Sequence, residues 1–212
     1  MRNYILILFT FALSQPLFSQ GNNAKDVLDK TSEAFRGAGG VKAEFTIQVF
    51  NGEQSVAATK GIIQLKNNKF VLETEEAIVW FDGETQWSYL IEPDEVNISN
   101  PTEDELQSIN PYALLSIYQK GFTPRLGSLK SFQSKPIDEV ILTAGNKQQD
   151  ISQLILYVTK NTRQPLFIRV DMRDGTRNEI VITAYRTGLA YTDSTFMFDR
   201  KKYPDAEIID LR

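Results

Sequence analysis

The sequence predicts an α+β fold in which short antiparallel strands form a meander that curves toward a barrel. From Val41 to Val49, apolar and polar residues alternate with a period of two, which is typical of a half-buried strand. Further short apolar segments follow, and tight-turn sequences such as Asn51-Gly52 and Asp82-Gly83 separate many of them. Stretches with a helical pattern precede the first strand and divide the strands in the middle of the chain.

The N-terminus has the three parts of a secretory signal peptide. Arg2 provides a positive charge, an apolar run follows at 4–13, and Ser19-Gln20-Gly21 offers a cleavage site. The apolar run is shorter than the roughly 20 residues that a membrane-spanning helix needs. We therefore expect residues 1–20 to be a signal peptide and residues 21–212 to form a single exported domain. Because the cleavage site lacks the Ala-x-Ala pattern, an uncleaved N-terminal membrane anchor is the alternative.

Two regions are predicted to be helical. The first helix is expected to start at the Asn pair 22–23 and to continue to about Arg36, with Gly37 ending it. Its apolar stripe is narrow, which indicates that one face covers the sheet while the other faces water. Mid-chain helix starts are predicted at Asn100-Pro101 and Asn110-Pro111. The second of these pieces is apolar on nearly every side, as in a helix that is buried or that covers a cavity.

The remaining apolar segments are predicted to be strands of the same meander. Asp82-Gly83 is read as a type I′ hairpin turn, and Phe196-Met197-Phe198 as a short last strand before a polar tail. The other predicted strands lie at 56–65, 70–74, 77–81, 85–91, 95–99, 135–143, 151–159, 166–171 and 176–185.

The composition excludes several classes of function. The chain has no His and no Cys, which rules out Ser-His-Asp and Cys-His catalytic sites and nearly excludes the common zinc sites. With 23 basic and 27 acidic residues and no large basic cluster, it does not predict a nucleic-acid-binding protein. A carboxylate-dependent enzyme stays conceivable, but no pair of acidic residues stands out as catalytic. We therefore predict a non-enzyme without a cofactor or metal.

One segment carries a family resemblance. Residues 76–89 combine an apolar strand, the Asp82-Gly83 turn and the strand sequence Trp87-Ser88-Tyr89, and they resemble the hairpin of LolA-type periplasmic lipoprotein carriers. Other features follow in the order of that family: a first helix, an alternating strand with Phe45, a strand opening at Gly61, a mid-chain helix at Asn110-Pro111, a hairpin at Asp174-Gly175 and the final Phe196-Met197-Phe198.

The resemblance implies a half-open antiparallel β-barrel whose capping helices enclose an apolar cavity. It further implies a monomeric carrier that collects acylated lipoproteins from an ABC-type complex of the inner membrane and delivers them to the outer membrane, where an acceptor would receive them. Many relatives carry an Arg-Pro pair, whose Arg is linked to lid closure, where this chain has Asn67-Asn68. Lys66 or Lys69 is a candidate replacement, although an ammonium lacks the fork geometry of a guanidinium.

A carrier of this kind has a simple physical requirement. An acyl chain of roughly fifteen methylenes gains about 12 kcal/mol on leaving water, so it cannot cross an aqueous compartment unaided. The side chains predicted to contact lipid, as a set, are Phe45, Ile47, Phe70, Leu72, Ile78, Trp80, Trp87, Tyr89, Leu114 and Leu115. Alternation places Ile78 and Trp80 on one face of their strand, but it does not tell which face lines a cavity.

Two alternative functions stay open at this point. A sensor of envelope lipid or lipoprotein could use the same fold and differ only in its role. A β-rich sugar-binding module, or a hydrolase that uses carboxylates, would belong to a different class. In the sugar-binding case, exposed aromatic side chains such as Trp87 and Tyr89 would stack on sugar rings.

Overall fold

A computed structural model describes residues 24–102, 105–106, 118 and 120–212. One helix precedes a strongly curved, unclosed sheet of 13 strands. The elements are α1 Ala24–Gly37, β1 Val41–Asn51, β2 Gln54–Lys66, β3 Lys69–Thr74, β4 Ala77–Phe81, β5 Gln86–Leu90, β6 Glu95–Ser99, β7 Phe122–Leu126, β8 Ser131–Phe132, β9 Lys135–Ala144, β10 Ile151–Thr159, β11 Pro165–Met172, β12 Thr176–Arg186 and β13 Glu207–Asp210.

The sheet consists of two meanders. They are joined in the middle of the sheet, where β1 pairs with β12. Its order is β13-β6-β5-β4-β3-β2-β1-β12-β11-β10-β9-β7, with β8 pairing beside β7 on β9. All neighbours are antiparallel except β13, which runs parallel to β6. Because β13 and β7 are the two ends of this order, the sheet does not close on itself. The predicted curved antiparallel sheet with a half-barrel form is therefore confirmed.

The two faces of the sheet are covered by different parts of the chain. The face that α1 covers is called the helix-side face, and it carries the two larger apolar clusters. The opposite face, between β2 and β6, is covered by the segment 188–206, which is called the tail, and this face is called the tail-side face. Side chains alternate between the two faces along every strand, so the pairing register assigns each residue to one face.

Helix α1 begins the helix-side core and confirms the predicted narrow stripe. Val27 and Leu28 are fully buried against β9 and β10, and the hydroxyl of Thr31 donates to the Val27 carbonyl oxygen at 2.7 Å. Its far side faces water and carries an ion pair between Lys25 and Asp29, 2.7 Å apart. The Tyr118 hydroxyl also donates to Asp29, and hydrogen bonds from Lys25 and then Tyr118 lower the pKa of that carboxyl.

The mid-chain helix starts differ from the prediction where the structure describes them. Thr102 and Glu105 form a capping box: the Thr102 backbone and hydroxyl groups donate to Oε2 of Glu105 at 2.7 and 2.8 Å. Asn100 was the expected cap, but its Oδ1 instead accepts from the Thr85 hydroxyl at 3.2 Å, beside the β4–β5 turn. The predicted cap at Asn110-Pro111 lies outside the described residues.

The β4–β5 hairpin was predicted correctly, but its turn type was wrong. Asp82 and Thr85 close a longer loop, in which the Asp82 backbone N–H donates to the Thr85 carbonyl oxygen at 3.2 Å. Oδ1 of Asp82 accepts the backbone N–H groups of Glu84 and Thr85 at 3.0 and 2.9 Å. Only Gly83 in this loop has a positive φ, at 105°, whereas a type I′ turn needs two such residues in sequence.

The C-terminal region departs most from the prediction. Instead of a strand at 196–198, residues Asp193–Phe196 form a 3-10 turn whose Phe196 is fully buried. The polar C-terminal end of the chain was predicted to have no regular structure, but its residues Glu207–Asp210 form β13. The pairing of β13 with β6 depends on backbone groups, for example the Leu211 N–H that donates to the Ile98 carbonyl oxygen at 2.8 Å. Because this pairing depends on backbone groups, the side-chain pattern did not predict β13. The short strands β7 and β8 were missed for the same reason.

The tail is fixed to the tail-side face by one buried ring and two lysines. Phe196 packs against Val71 and Trp80. Nζ of Lys66 donates to the Tyr191 carbonyl oxygen at 2.6 Å, and Nζ of Lys69 lies 3.0 Å from Oδ1 of Asp193. The hydrogen bond from Lys69 lowers the pKa of the Asp193 carboxyl. Both lysines that could have replaced the arginine of many relatives are therefore engaged with the tail.

A close approach inside the sheet requires a glycine. Gly61 lies in the middle of β2, opposite Phe45, and does not open the strand as the resemblance implied. A Cβ added at Gly61 would lie 2.5 Å from the Glu73 carbonyl oxygen and 2.7 Å from Cζ of Phe45. The Phe45 ring therefore occupies the space that a side chain at Gly61 would need.

We predict that Gly61→Ala lowers the free energy of unfolding by about 2 kcal/mol, because overpacking forces the Phe45 ring and the β3 backbone apart. Chemical denaturation of the purified protein measures this change. Gly37→Ala is the matched control, since an added Cβ there meets nothing within 4 Å. It should shift stability by less than about 1 kcal/mol, in the stabilising direction. Equal effects of the two substitutions would contradict the packing argument.

We also predict that Lys66→Met loosens the tail, because the Tyr191 carbonyl oxygen loses a charged donor worth about 1.5 kcal/mol. Amide hydrogen exchange in residues 188–198 should become roughly tenfold faster, while exchange in β10 and β11 stays unchanged. Lys60→Met is the control, because exposed Lys60 lies 3.5 Å from exposed Glu75 and touches no part of the tail. Unchanged exchange of the tail in Lys66→Met would show that this contact does not hold it.

Candidate functional site

The structure divides the predicted lipid-contacting set between the two faces of the sheet. Phe45, Ile47, Phe70 and Leu72 lie on the helix-side face. The tail-side face carries Ile78, Trp80, Trp87 and Tyr89. Leu114 and Leu115 lie outside the described residues. Lipid contact by any of these side chains stays a prediction, but the two described groups are separated by the sheet and do not form one surface.

The helix-side group belongs to a continuous apolar surface. Ile47 lies directly opposite Ile180 of β12, and Leu72 lies opposite Ile63 of β2 and Val79 of β4. Phe45 and Phe70 are buried beside them, whereas Ile47, Leu72, Val79 and Ile180 keep part of their surface exposed. Members that the sequence analysis did not select are Ile63, Leu65, Val79, Phe81, Ile180 and Ile182. Their strands were predicted, and only the register between strands places them on this face.

The apolar surface ends at β5. Beyond Val79, the next helix-side positions are Ser88 of β5 and Asn97 of β6. Nε2 of Gln86 donates to Oγ of Ser88 at 3.0 Å, and Nδ2 of Asn97 donates to Oε1 of Glu95 at 2.7 Å. Oε1 of Gln86 is buried and has no hydrogen-bond partner among the described residues. The helix-side face is thus apolar from β9 to β4 and polar on β5 and β6.

The helix covers only part of this surface. Its most extensive contacts in the sheet are with β7 and β9, and Phe35 near its end reaches the cluster around Phe45 and Phe70. Leu106, just after the capping box, packs on the same cluster. The partly exposed side chains of Ile47, Leu72, Val79 and Ile180 lie on β1, β3, β4 and β12, away from β7 and β9. This surface can make apolar contacts with hydrocarbon, and it has a polar border. The helix-side positions of β1, β3 and β4 carry no charged side chain.

The tail-side group is packed beneath the tail. Trp80 is 8% exposed, and its ring centroid lies 5.6 Å from that of Phe198 and 5.7 Å from that of Tyr203. The Tyr89 hydroxyl donates to Oδ1 of Asp94 at 2.9 Å, and its ring centroid is 4.6 Å from that of Tyr203. This hydrogen bond, followed by burial, raises the pKa of Tyr89. Trp87 and Tyr89 therefore do not form the open platform that sugar stacking would need.

The described residues offer neither a metal-binding cluster of acidic side chains nor a membrane-spanning helix. Within residues 24–102, 105–106, 118 and 120–212, no three or more acidic side chains gather in a way that could hold a metal ion. In the same part of the chain, no helix has the length and hydropathy required to cross a bilayer.

Comparisons with known proteins agree with this geometry. The sequence profile of the family described as outer membrane lipoprotein carrier protein LolA matches residues 14–176. An uncharacterized conserved protein from Thermus thermophilus is 13% identical, with a TM-score of 0.61 over 88% of this chain and 98% of that chain. No curated protein matches the sequence.

Two more solved structures are similar at lower scores. A LolA superfamily protein from Nitrosomonas europaea is 11% identical, with a TM-score of 0.47 over 84% of this chain and 98% of that chain. The lipoprotein LppX from Mycobacterium tuberculosis is 11% identical, with a TM-score of 0.45 over 79% of this chain and 99% of that chain. Since the profile match covers well over half of the sequence, the chain belongs to the LolA family of outer membrane lipoprotein carrier proteins.

Proposed function

We propose that this protein is a periplasmic carrier that holds the acyl chains of lipoproteins on its helix-side face and takes them from the inner to the outer membrane. The observation that carries this proposal is the partly exposed apolar surface formed by Ile47, Leu72, Val79 and Ile180 in a chain of this family. A carrier of this kind acts by binding and release and needs no catalytic group.

The proposed contacts follow from the faces of the sheet. Phe45 and Phe70 form the buried floor, while Ile47 and Leu72 present apolar surface to the cargo. Acyl chains that lie here would leave water at about 0.8 kcal/mol per methylene. The polar border on β5 limits the apolar surface on one side, so hydrocarbon is favoured on β1 to β4 and disfavoured beyond them.

The unclosed sheet supports binding that is reversible. A closed barrel fixes its interior volume, whereas β7 and β13 are free ends of this sheet order and do not pair with each other. We propose that cargo enters and leaves on the helix-side face, with Leu114 and Leu115 as further predicted contacts from the mid-chain segment. An ABC-type complex of the inner membrane and an acceptor at the outer membrane are the proposed partners for loading and delivery.

We predict that the purified protein binds a fluorescent fatty-acyl probe and that an acylated lipoprotein displaces it. Leu72→Gln should weaken probe binding roughly tenfold, because about 1–1.5 kcal/mol of apolar contact is lost. Ile62→Gln is the matched control: Ile62 is also partly exposed but lies on the tail-side face of β2. Fluorescence titration of the three proteins measures the affinities. A probe signal equal to that of a protein without lipid affinity, or equal losses in both variants, would overturn the proposal.

Deletion of the gene distinguishes a carrier from a sensor with the same fold. Without a carrier, lipoproteins should accumulate in the inner membrane, because their acyl chains cannot cross the periplasm alone. Fractionation of the two membranes followed by lipoprotein immunoblotting measures their distribution. Normal lipoprotein distribution together with altered transcription of envelope genes would favour the sensor.

A further inference from the structure

A cleft of about 630 Å³ lies between the tail and the tail-side face of the sheet. Its apolar lining comes from Ile78 and Trp80 of β4 and from Met197, Phe198 and Tyr203 of the tail. This volume is in the range of sites for small molecules, which are about 300–1,000 Å³. Because the sheet separates it from the helix-side face, the cleft is distinct from the surface proposed to hold acyl chains.

Two carboxylates, those of Glu73 and Asp199, line this cleft together with apolar and polar side chains, and Glu73 is the less exposed of the two. Glu73 of β3 lies opposite Ile62 of β2 and Ile78 of β4, and Val71 precedes it on the same face. Its Oε1 accepts one weak hydrogen bond, from Nε2 of Gln64 at 3.3 Å. No lysine or arginine in the described part of the chain lies within ion-pair distance of the Glu73 carboxylate. The Glu73 carboxylate therefore has acceptor capacity left for a cationic hydrogen-bond donor.

The other charged groups of the cleft lie at its mouth. Asp199 and Lys202 belong to the exposed turn at the end of the tail, and their charges are opposite. Oδ1 of Asp199 already accepts the backbone N–H of Lys201 at 3.0 Å. Glu73 is more buried than either of them, so its negative charge determines the potential in the interior of the cleft.

Aromatic rings line the same cleft as this carboxylate. Trp80 makes edge contacts with Phe198 and Tyr203, whose stacked rings have centroids 5.5 Å apart, so the three rings form one aromatic side of the cleft. Burial, and then the charge of Glu73, raise the pKa of Tyr203. Aromatic surface next to a carboxylate is a combination that attracts organic cations.

We propose that the cleft is a second binding site and that it takes a small organic cation, a primary amine attached to an alkyl or aryl group. The ammonium group pairs with the Glu73 carboxylate, and the hydrocarbon part contacts Ile78, Trp80 and Tyr203. Lys202 at the mouth disfavours a second positive charge, so a monocation fits better than a dication.

Isothermal titration calorimetry with phenethylammonium tests this site. The wild-type protein should bind it saturably and about tenfold to a hundredfold more tightly than phenethyl alcohol, which has the same ring without the charge. Glu73→Gln should reduce ammonium binding to the level of the alcohol. Glu75→Gln is the matched control, since Glu75 is exposed, two residues away and outside the cleft lining, and it should leave binding unchanged.

Lys202→Gln is expected to change ammonium binding in the opposite direction to Glu73→Gln. An unfolded variant could not bind more tightly, so this result cannot be caused by loss of folding. Removing this positive charge at the mouth should tighten ammonium binding by about twofold to threefold. Thermal unfolding confirms that each variant is folded. Equal wild-type affinity for the ammonium and the alcohol, unchanged binding in Glu73→Gln, or the absence of saturable binding would each overturn the proposal.

Discussion

The whole structure depends on the need to cover both faces of a single sheet. A sheet with apolar side chains on both faces is stable in water only if each face is buried, and here it forms one layer with no second sheet against it among the described residues. Helix α1 covers one face at β7 and β9, and the tail covers the other at β2 to β5. Of the residues that the structure describes, those of α1 and the tail leave the helix-side surface around Ile47 and Leu72 partly exposed. The proposed carrier function is a consequence of this incomplete coverage.

The tail binds the two lysines that are candidates to replace the arginine of many relatives. Lys66 and Lys69 flank the β2–β3 turn and point to the tail-side face, where they hold Tyr191 and Asp193. Both ammonium groups are therefore bound to the tail on the face opposite to α1. Fully buried Phe196 adds about 1.5–3 kcal/mol of apolar burial to the same attachment. The tail is consequently a structural cover of the sheet and not a loose terminus.

The sequence predicted single elements better than it predicted their combination. Alternation in β1 placed Phe45 and Ile47 on one face, and the sheet confirms this despite a bulge between Glu44 and Phe45. The relation between Phe70 and Trp80 could not be predicted, because it requires the register across the β3–β4 turn, which propensity does not fix. The burial of Phe196 was missed for another reason. The apolar segment Phe196-Met197-Phe198 is too short to distinguish a strand from the end of a 3-10 turn, and only the completed sheet provides the surface that Phe196 covers.

The thickness of one strand also determines how the two proposed sites relate to each other. Leu72 and Glu73 are neighbours in sequence, yet one faces the acyl surface and the other faces the cleft under the tail. Their side chains do not share a medium, since the backbone of β3 and its neighbours lies between them. A change in one side chain therefore leaves the contacts of the other in place, provided that the β3 register is kept. The sheet thus separates the proposed acyl surface from the proposed amine cleft. Because the two sites share no side chains, the binding free energy of one should not depend on that of the other.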